Sequence, residues 1–175
     1  PDSGNIFMDG KDITFAPEYR RAKQIGRIFQ DPMKGTAPSM TVEENMALAY
    51  AGERKSIFSL GIGKKERELF REKLASLHLG LEDRMKSPIG LLSGGQRQAI
   101  SLLMATMSVP KLLLLDEHTV ALDPKTAQQV LSLTKETVES NRISTLMITH
   151  DIKTALSVGN RTIMMDDGEI IMDLQ

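Results

Sequence analysis

The sequence predicts an α/β fold, a parallel sheet interrupted by an inserted helical segment. Three observations predict it. Residues 111–116 (Lys-Leu-Leu-Leu-Leu-Asp) and 143–149 (Ile-Ser-Thr-Leu-Met-Ile-Thr) carry short apolar runs of the kind buried on both faces of a parallel sheet. Each is followed by a stretch of helical character, 124–139 and 151–158, and alternating strands and helices imply parallel connections. The segment from about 35 to 108 is mainly helical and separates these elements from an earlier strand at 24–29, so it reads as a subdomain inserted into the sheet. The expected organisation is an α/β core built from 1–34 and 109–175, with the helical subdomain at 35–108.

The elements follow in order. Gln24 to Phe29 reads as a short strand. From Thr41 to Ala51 a helix is expected, with Thr41 as N-cap and Glu44 three residues on to complete a capping box. Between Lys64 and Leu79 the apolar residues Leu69, Phe70, Leu74 and Leu77 recur at helical spacing among charges. Ser93 to Met107 is a helix opened by Ser-Gly-Gly, and its N-terminus is expected to face solvent. Pro124 stands where proline is tolerated, near the first turn of the helix reaching Glu139. Arg161–Met165 and Glu169–Met172 flank Asp166-Asp167-Gly168, a hairpin signal.

Composition narrows the chemistry. The chain has 175 residues, the size of one domain or part of one, with 41% apolar and 26% charged residues, ordinary for a protein with a packed core. A net charge of -1 gives no basis for bulk binding to nucleic acid or anionic lipid. With no cysteine, disulfide scaffolds, thiol catalysis and Cys-based zinc sites are excluded. No apolar run approaches the roughly 20 residues that span a bilayer. The first residue is Pro1, not Met, and the start reads like the middle of a longer protein.

The sharpest motif is Leu92-Ser93-Gly94-Gly95-Gln96, followed by Arg97 and Gln98. Ser-Gly-Gly at a helix start is physically an anion site, because free N–H groups and the positive dipole end face outward and glycine lets a phosphate reach the backbone. An ordinary N-cap explains Ser-Gly but not all five residues, and a specified pentapeptide occurs by chance in roughly one chain in ten thousand of this length. It matches the signature sequence of ABC-type ATPases, and the chain resembles that family over nearly its whole length. About twenty residues on, Leu112-Leu-Leu-Leu-Asp116-Glu117 places two carboxylates at a strand's carboxyl end, where α/β proteins bind ligands. Asp116 resembles the Walker B aspartate that serves Mg²⁺, and Glu117 the family's catalytic glutamate. Solvated carboxylates capping a strand are common by themselves; the signature at this spacing decides for the catalytic pair. Ala121-Leu122-Asp123 resembles the D-loop, His150 in Thr149-His150-Asp151 the switch histidine, and Gln30 in Phe29-Gln30-Asp31-Pro32 the Q-loop glutamine that contacts Mg²⁺ and water. The stretch from Asp2-Ser3-Gly4 to Asp9-Gly10 resembles the strand and turn that follow the family's first helix.

Two departures stand out. No G-x-x-x-x-G-K-[ST] occurs in the 175 residues; neither Gly10-Lys11 nor Gly63-Lys64 has the required neighbours. In the family this phosphate loop lies upstream of a segment like Pro1–Gly10, so truncation is the expected reason, and the isolated chain is expected to bind ATP poorly and to be inactive. His118 and Val120 replace the proline and small residue usual in Asp-Glu-Pro-Thr-Ser. The Asp-Glu-His-Thr form resembles a branch of importer ATPases related to the branched-chain amino-acid group.

The resemblance implies a P-loop-type fold and a subunit working as a head-to-tail dimer with a second copy or close homologue. ATP would lie between the phosphate loop of one subunit and Leu92, Ser93, Gly94, Gly95 and Gln96 of the other, with Asp123 near the junction. Gln30 and Asp116 would serve Mg²⁺, Glu117 the attacking water and His150 the γ-phosphate. Membrane permease subunits, met through the region from Gln30 that includes Met33, Pro38 and Met40, and a solute-binding protein are the implied partners. The implied place is the cytoplasmic face of the cell membrane, peripherally bound; nucleic acid is not a partner. The competing readings are an ABC ATPase outside transport, against which stand the short gap from Gln30 to the signature, the lack of cysteines and the single motif set, and a decayed product that hydrolyses nothing, against which stand the intact carboxylates, glutamine and histidine.

Overall fold

The computed structural model describes residues 3–51 and 61–175. Its central sheet has three strands, β3 (Ile25–Ile28), β4 (Leu112–Asp116) and β5 (Ser144–Ile148), in the order β3-β4-β5 and parallel throughout. Ile28 lies beside Leu115, and Asp116 beside Ile148, so all three strands end at one edge. Central strand β4 buries Leu113 and Leu115, which join Ile28, Leu102 and Ile143 in one hydrophobic cluster. Strand β3 lies against helix α4 (Gly94–Thr106) at Gly26, where a Cβ would sit 2.7 Å from the Ala105 carbonyl oxygen. Only glycine lets strand and helix backbone approach this closely.

A second cluster joins α2 (Val42–Tyr50), α3 (Lys64–Ala75) and α4 through Val42, Met46, Phe70, Leu74, Leu81, Ile89 and Ile100. The expected capping box opens α2: the Glu44 N–H donates to Thr41 Oγ1 at 3.3 Å, and the Thr41 N–H to Glu44 Oε2 at 2.7 Å. Asn45, 1% exposed, ties down the preceding loop. Its Oδ1 accepts from the Ala37 N–H at 2.7 Å, and its Nδ2 donates to the carbonyls of Ala37 and Thr41, each at 3.0 Å. Beside it the buried Glu43 carboxylate accepts from Arg67 Nε at 3.0 Å and pairs with Lys86, joining α2 to α3 and to the segment before Ser93.

After β4 come α5 (Pro124–Asn141), β5, α6 (Ile152–Val158) and the hairpin of β6 (Thr162–Asp166) and β7 (Glu169–Leu174). Asp167 and Gly168 turn the hairpin with φ of +45° and +84°, as the Asp-Gly signal requires. Near the start, β1 (Phe7–Met8) and β2 (Lys11–Asp12) form an antiparallel pair, and α1 (Glu18–Arg21) is a single turn. Asp2, part of the segment read as strand and turn, lies outside the described residues.

Two expectations need correction. The helix from Lys64 ends at Ala75 instead of Leu79, because the chain turns with left-handed residues at His78 (φ +54°) and Gly80 (φ +65°). Leu77 nonetheless stays buried. The strand expected to be buried at 143–149 is largely exposed, with Leu146 at 56% and Ile148 at 57%. Side chains on both faces of β5 are exposed, Met147 alone being part-buried, so this strand lacks the layer that normally covers each face of a parallel sheet; among the described residues it pairs on its β4 side alone.

Glu43 gives the fold a defined acid response. Burial opposes its ionisation, but hydrogen bonds from Lys86 and Arg67 outweigh burial and hold its pKa below the usual 4.5. A carboxylate depressed in the folded state stabilises above its unfolded pKa, and that contribution fades as pH falls below about 4.5. Glu43→Gln is expected to lose about 1–3 kcal/mol at neutral pH. It should also show a flatter loss between pH 5 and 3 in urea melts than the parent chain.

Candidate functional site

The common strand edge collects the candidate residues. Asp116 is the last residue of β4, Glu117 follows it, and Gln30 and His150 each stand two residues beyond the ends of β3 and β5. The Glu117 N–H donates to the Ile148 carbonyl at 3.0 Å, extending the β4–β5 pairing by one step. Glu117 takes φ of +44°, a left-handed conformation that swings its side chain away from the strand direction. His150 Nδ1 then donates to Glu117 Oε1 at 3.0 Å. The acid and the histidine, read separately from sequence, thus touch across two strands. Both are accessible, His150 at 66% and Glu117 at 30% of the side chain. Asp116 pairs with Arg27 Nη2 at 3.2 Å, and Gln30 is exposed.

The signature segment forms the second part. Ser93 caps α4: the Gln96 N–H donates to Ser93 Oγ at 3.3 Å, and the Ser93 N–H to Gln96 Oε1 at 3.2 Å. The expectation of a helix start facing solvent holds for Ser93, which is exposed, and in part for Gly94. It fails for Gly95, which is buried. Helix α5 crosses the first turn of α4 there, and a Cβ on Gly95 would fall 2.1 Å from Thr126 Cγ2. Leu92 is also buried, with its carbonyl accepting from Arg97 Nη1 at 2.6 Å. Asp123 caps α5 by accepting from the Thr126 N–H at 3.1 Å, and the Thr126 hydroxyl and N–H together hold its carboxyl below the usual range.

The two parts are joined directly. Gln98 of α4, 1% exposed, donates from Nε2 to the Phe29 carbonyl at 3.3 Å, one residue before Gln30. The loop after Gln30 also braces the signature segment, because the Gly90 and Ile89 N–H groups donate to the carbonyls of Pro38 (2.9 Å) and Met40 (3.0 Å). Met33 remains open at 36%. A cavity of about 300 Å³ lies beside this loop, lined by Phe29, Pro32, Gly35, Ala49, Ser101 and Met104 among others.

Three residues at the site were not singled out from sequence as acting there. Arg27 reads as an ordinary polar strand residue, and only the register reveals that it reaches Asp116. Asn45 lies inside a helix pattern, where an apolar stripe hides its role as a clasp. His118 was read as a departure from a motif, yet it is 3% exposed and bonded to Thr134.

No metal cluster of three or more His, Asp or Glu residues occurs among the described residues. Mg²⁺ is commonly held by one or two carboxylates, with water and phosphate completing its shell. Asp116, with Gln30 at the same edge, fits that pattern and would have to release Arg27.

A family model described as ABC transporter matches residues 1–120. The chain is 43% identical over 173 residues to a tyrosine transport ATP-binding protein of Clostridioides difficile, covering 99% of this chain and 68% of that protein. The chain belongs to the ABC transporter family. The family's ATP-binding proteins are ATPases, and the fold here is the P-loop-type α/β fold of that family. The methionine import ATP-binding protein MetN of Streptococcus pneumoniae is 35% identical over 168 residues, 95% of this chain but 45% of that protein. MetN of Rhizobium johnstonii is 36% identical over 177 residues, 99% of this chain and 46% of that protein. The chain thus spans under half the length of these methionine importers' subunits. Among solved structures, the ATP-binding cassette MJ0796, a dimer in a post-hydrolysis state with ADP and Pi, superposes with a TM-score of 0.82 at 28% identity. That match covers all of this chain and 74% of that one.

In this family member the α4–α5 junction is tight enough to test. Gly95→Ala should destabilise the chain by about 1–3 kcal/mol through overpacking. Adding Thr126→Ala deletes the opposing methyl and should recover most of that loss in thermal or urea melts. If Gly95→Ala alone is neutral, α5 does not cover Gly95 in solution.

Proposed function

We propose that this chain provides most of the catalytic surface of an importer-type ABC ATPase subunit, handling ATP at a head-to-tail dimer interface. One observation carries the reading: Glu117 and His150, from different strands, meet at 3.0 Å on the edge where Asp116 and Gln30 also end. On this reading Glu117 orients and deprotonates the attacking water, and His150 holds both that carboxylate and the γ-phosphate. Asp116 and Gln30 would hold Mg²⁺, which neutralises phosphate charge when bound. Ser93, Gly94 and Gln96 would present the helix start to the ATP of the opposite subunit, with the buried Leu92 and Gly95 shaping it from behind and Asp123 beside them capping α5. Catalysis in such a site is positioning and charge neutralisation. The motif that cradles the phosphates is not among these 175 residues, so the full site needs another segment to provide it.

The helical subdomain is proposed as 35–108 and the α/β core as 1–34 with 109–175; the cluster of α2, α3 and α4 supports the first unit, while Leu102 and Ala105 of α4 pack on the sheet and tie it to the second. The groove beside Phe29 and Pro32, with Met33 open at its side, is the proposed contact for membrane permease subunits. A solute-binding protein would complete an importer. The relatives named for tyrosine transport and methionine import support an amino acid as cargo. No described helix is long and apolar enough to cross a membrane. The proposed place is peripheral, at the cytoplasmic face.

The test is Glu117→Gln in the subunit that includes a phosphate-binding loop. Gln keeps the size and one acceptor oxygen but removes the charge that activates water. Hydrolysis should fall about 10²–10⁴-fold, with ATP affinity largely kept, because the lost stabilisation belongs to the transition state. Removing a negative charge near the γ-phosphate should also let the ATP-bound dimer persist longer. Turnover and ATP-dependent dimerisation are measured side by side. Near-normal turnover would show that Glu117 is not the base, and joint loss of binding would make its role structural.

A further inference from the structure

We propose that His118 and Thr134 form a positioning pair that holds the turn at Glu117, and so sets the rate of hydrolysis without contributing to ATP binding. The proposal rests on the reading of Glu117 as the group that activates water.

Glu117 carries a side chain yet has φ of +44°, a left-handed conformation that persists only where the surroundings fix it. Three restraints act on it. Its own N–H donates to the Ile148 carbonyl at 3.0 Å, which fixes it to β5. Its carbonyl accepts from the Val120 N–H at 3.1 Å, which closes the turn. The third comes from the next residue: the His118 ring is packed inward, 3% exposed, with Nε2 at 3.3 Å from Thr134 Oγ1. The first two restraints are main-chain bonds that any residue could make. The third depends on side-chain identity and reaches a different element.

Hydrogen-bond accounting assigns the direction of that bond. Thr134 has one hydroxyl hydrogen, and its Oγ1 donates to the Val130 carbonyl at 2.8 Å inside α5. Oγ1 must therefore accept from His118, so the imidazole carries its proton on Nε2. Thr134 is itself 3% exposed and sits ten residues after Pro124 in an 18-residue helix, where it cannot shift independently. The pair thus fastens the residue after Glu117 to α5. The same helix, capped by Asp123, covers Gly95, so one rigid element carries the proposed water-activating turn and packs on the signature helix.

The consequence is specific. If the pair is loosened, Glu117 keeps its charge and composition but loses its aim. Misplacement by about 1 Å can cost about a hundredfold in rate. The test is made in the subunit that includes a phosphate-binding loop, with Thr134→Val, Thr134→Ser, His118→Phe and the Val/Phe double variant. Thr134→Val should lower kcat about tenfold with KM for ATP within about twofold, and Thr134→Ser, which keeps the hydroxyl, should restore kcat. The double variant should be no worse than the poorer single variant, because both remove one bond. In the 175-residue chain, ¹⁵N spectra of the imidazole should show the proton on Nε2, a signature that a merely space-filling ring has no reason to share. Equal kcat for Val and Ser variants, additive losses, a rise in KM with kcat unchanged, or a proton on Nδ1 would each overturn the pair. Glu117→Gln is assayed alongside. If that variant is inactive while Thr134→Val turns over normally, the pair falls and the reading of Glu117 stands. If Glu117→Gln turns over normally, both fall.

Discussion

Ile28 lies beside Leu115 and Asp116 beside Ile148, and this parallel register determines where Gln30, Asp116, Glu117 and His150 end up. Three strands running the same way deliver their carboxyl ends to one edge, so Glu117 and His150 meet there and Gln30 stands at the same edge. A slip of one residue in β5 would turn its side chains to the other face and move His150 away from Glu117. The register is held by burial in the middle strand. Leu113 and Leu115 are at most 2% exposed, and Gly26 lets α4 lie directly on β3. The polar site is therefore precise because of an apolar constraint one layer beneath it.

Much of this was legible in the sequence, for reasons that differ between residues. The buried run at 112–116 and the capping box at Thr41 and Glu44 are local signals, and local physics suffices to place them. The Asp-Gly turn of the hairpin belongs with them. What stayed hidden depends on contacts between elements. The pairing of Arg27 with Asp116 joins residues 89 apart, and nothing in the stretch Ile-Gly-Arg-Ile announces it. Gly95 looked like an open anion site because glycine at a helix start usually means access. Here the missing side chain makes room for Thr126 of a neighbouring helix instead. His118 looked like a motif substitution, and its partner Thr134 lies sixteen residues away on another element. The exposure of β5 likewise depends on what packs over its faces, which hydrophobic pattern alone does not encode.

The strand edge and the signature helix are also mechanically linked, and the link is polar. Gln98 reaches the Phe29 carbonyl, and the loop carbonyls of Pro38 and Met40 receive the N–H groups just before the signature. Asn45 fastens that loop from the other side, at Ala37 and Thr41. Each bond is worth only about 1 kcal/mol net, but leaving a buried partner unmade costs more. Displacement of the loop after Gln30 would thus strain the signature segment before it breaks contact. On the proposed reading, with a membrane partner seated on this loop, that link would carry motion to the nucleotide site.

Ser93 shows how a site can be capped and available at once. A hydroxyl has one hydrogen to give and two lone pairs to accept. In α4 the Ser93 oxygen accepts from the Gln96 N–H, which satisfies one of the orphan donors of the first turn. Its hydrogen is not needed for that bond. A phosphate oxygen approaching from outside would find that hydrogen together with the positive end of a 13-residue helix. The helix need not uncap to bind, so no stability is surrendered on contact. Gly95, closed off by Thr126, contributes differently: it lets α5 lie against the first turn and so fixes the direction in which Ser93 faces. On the proposed reading, the serine makes the contact and the second glycine aims it.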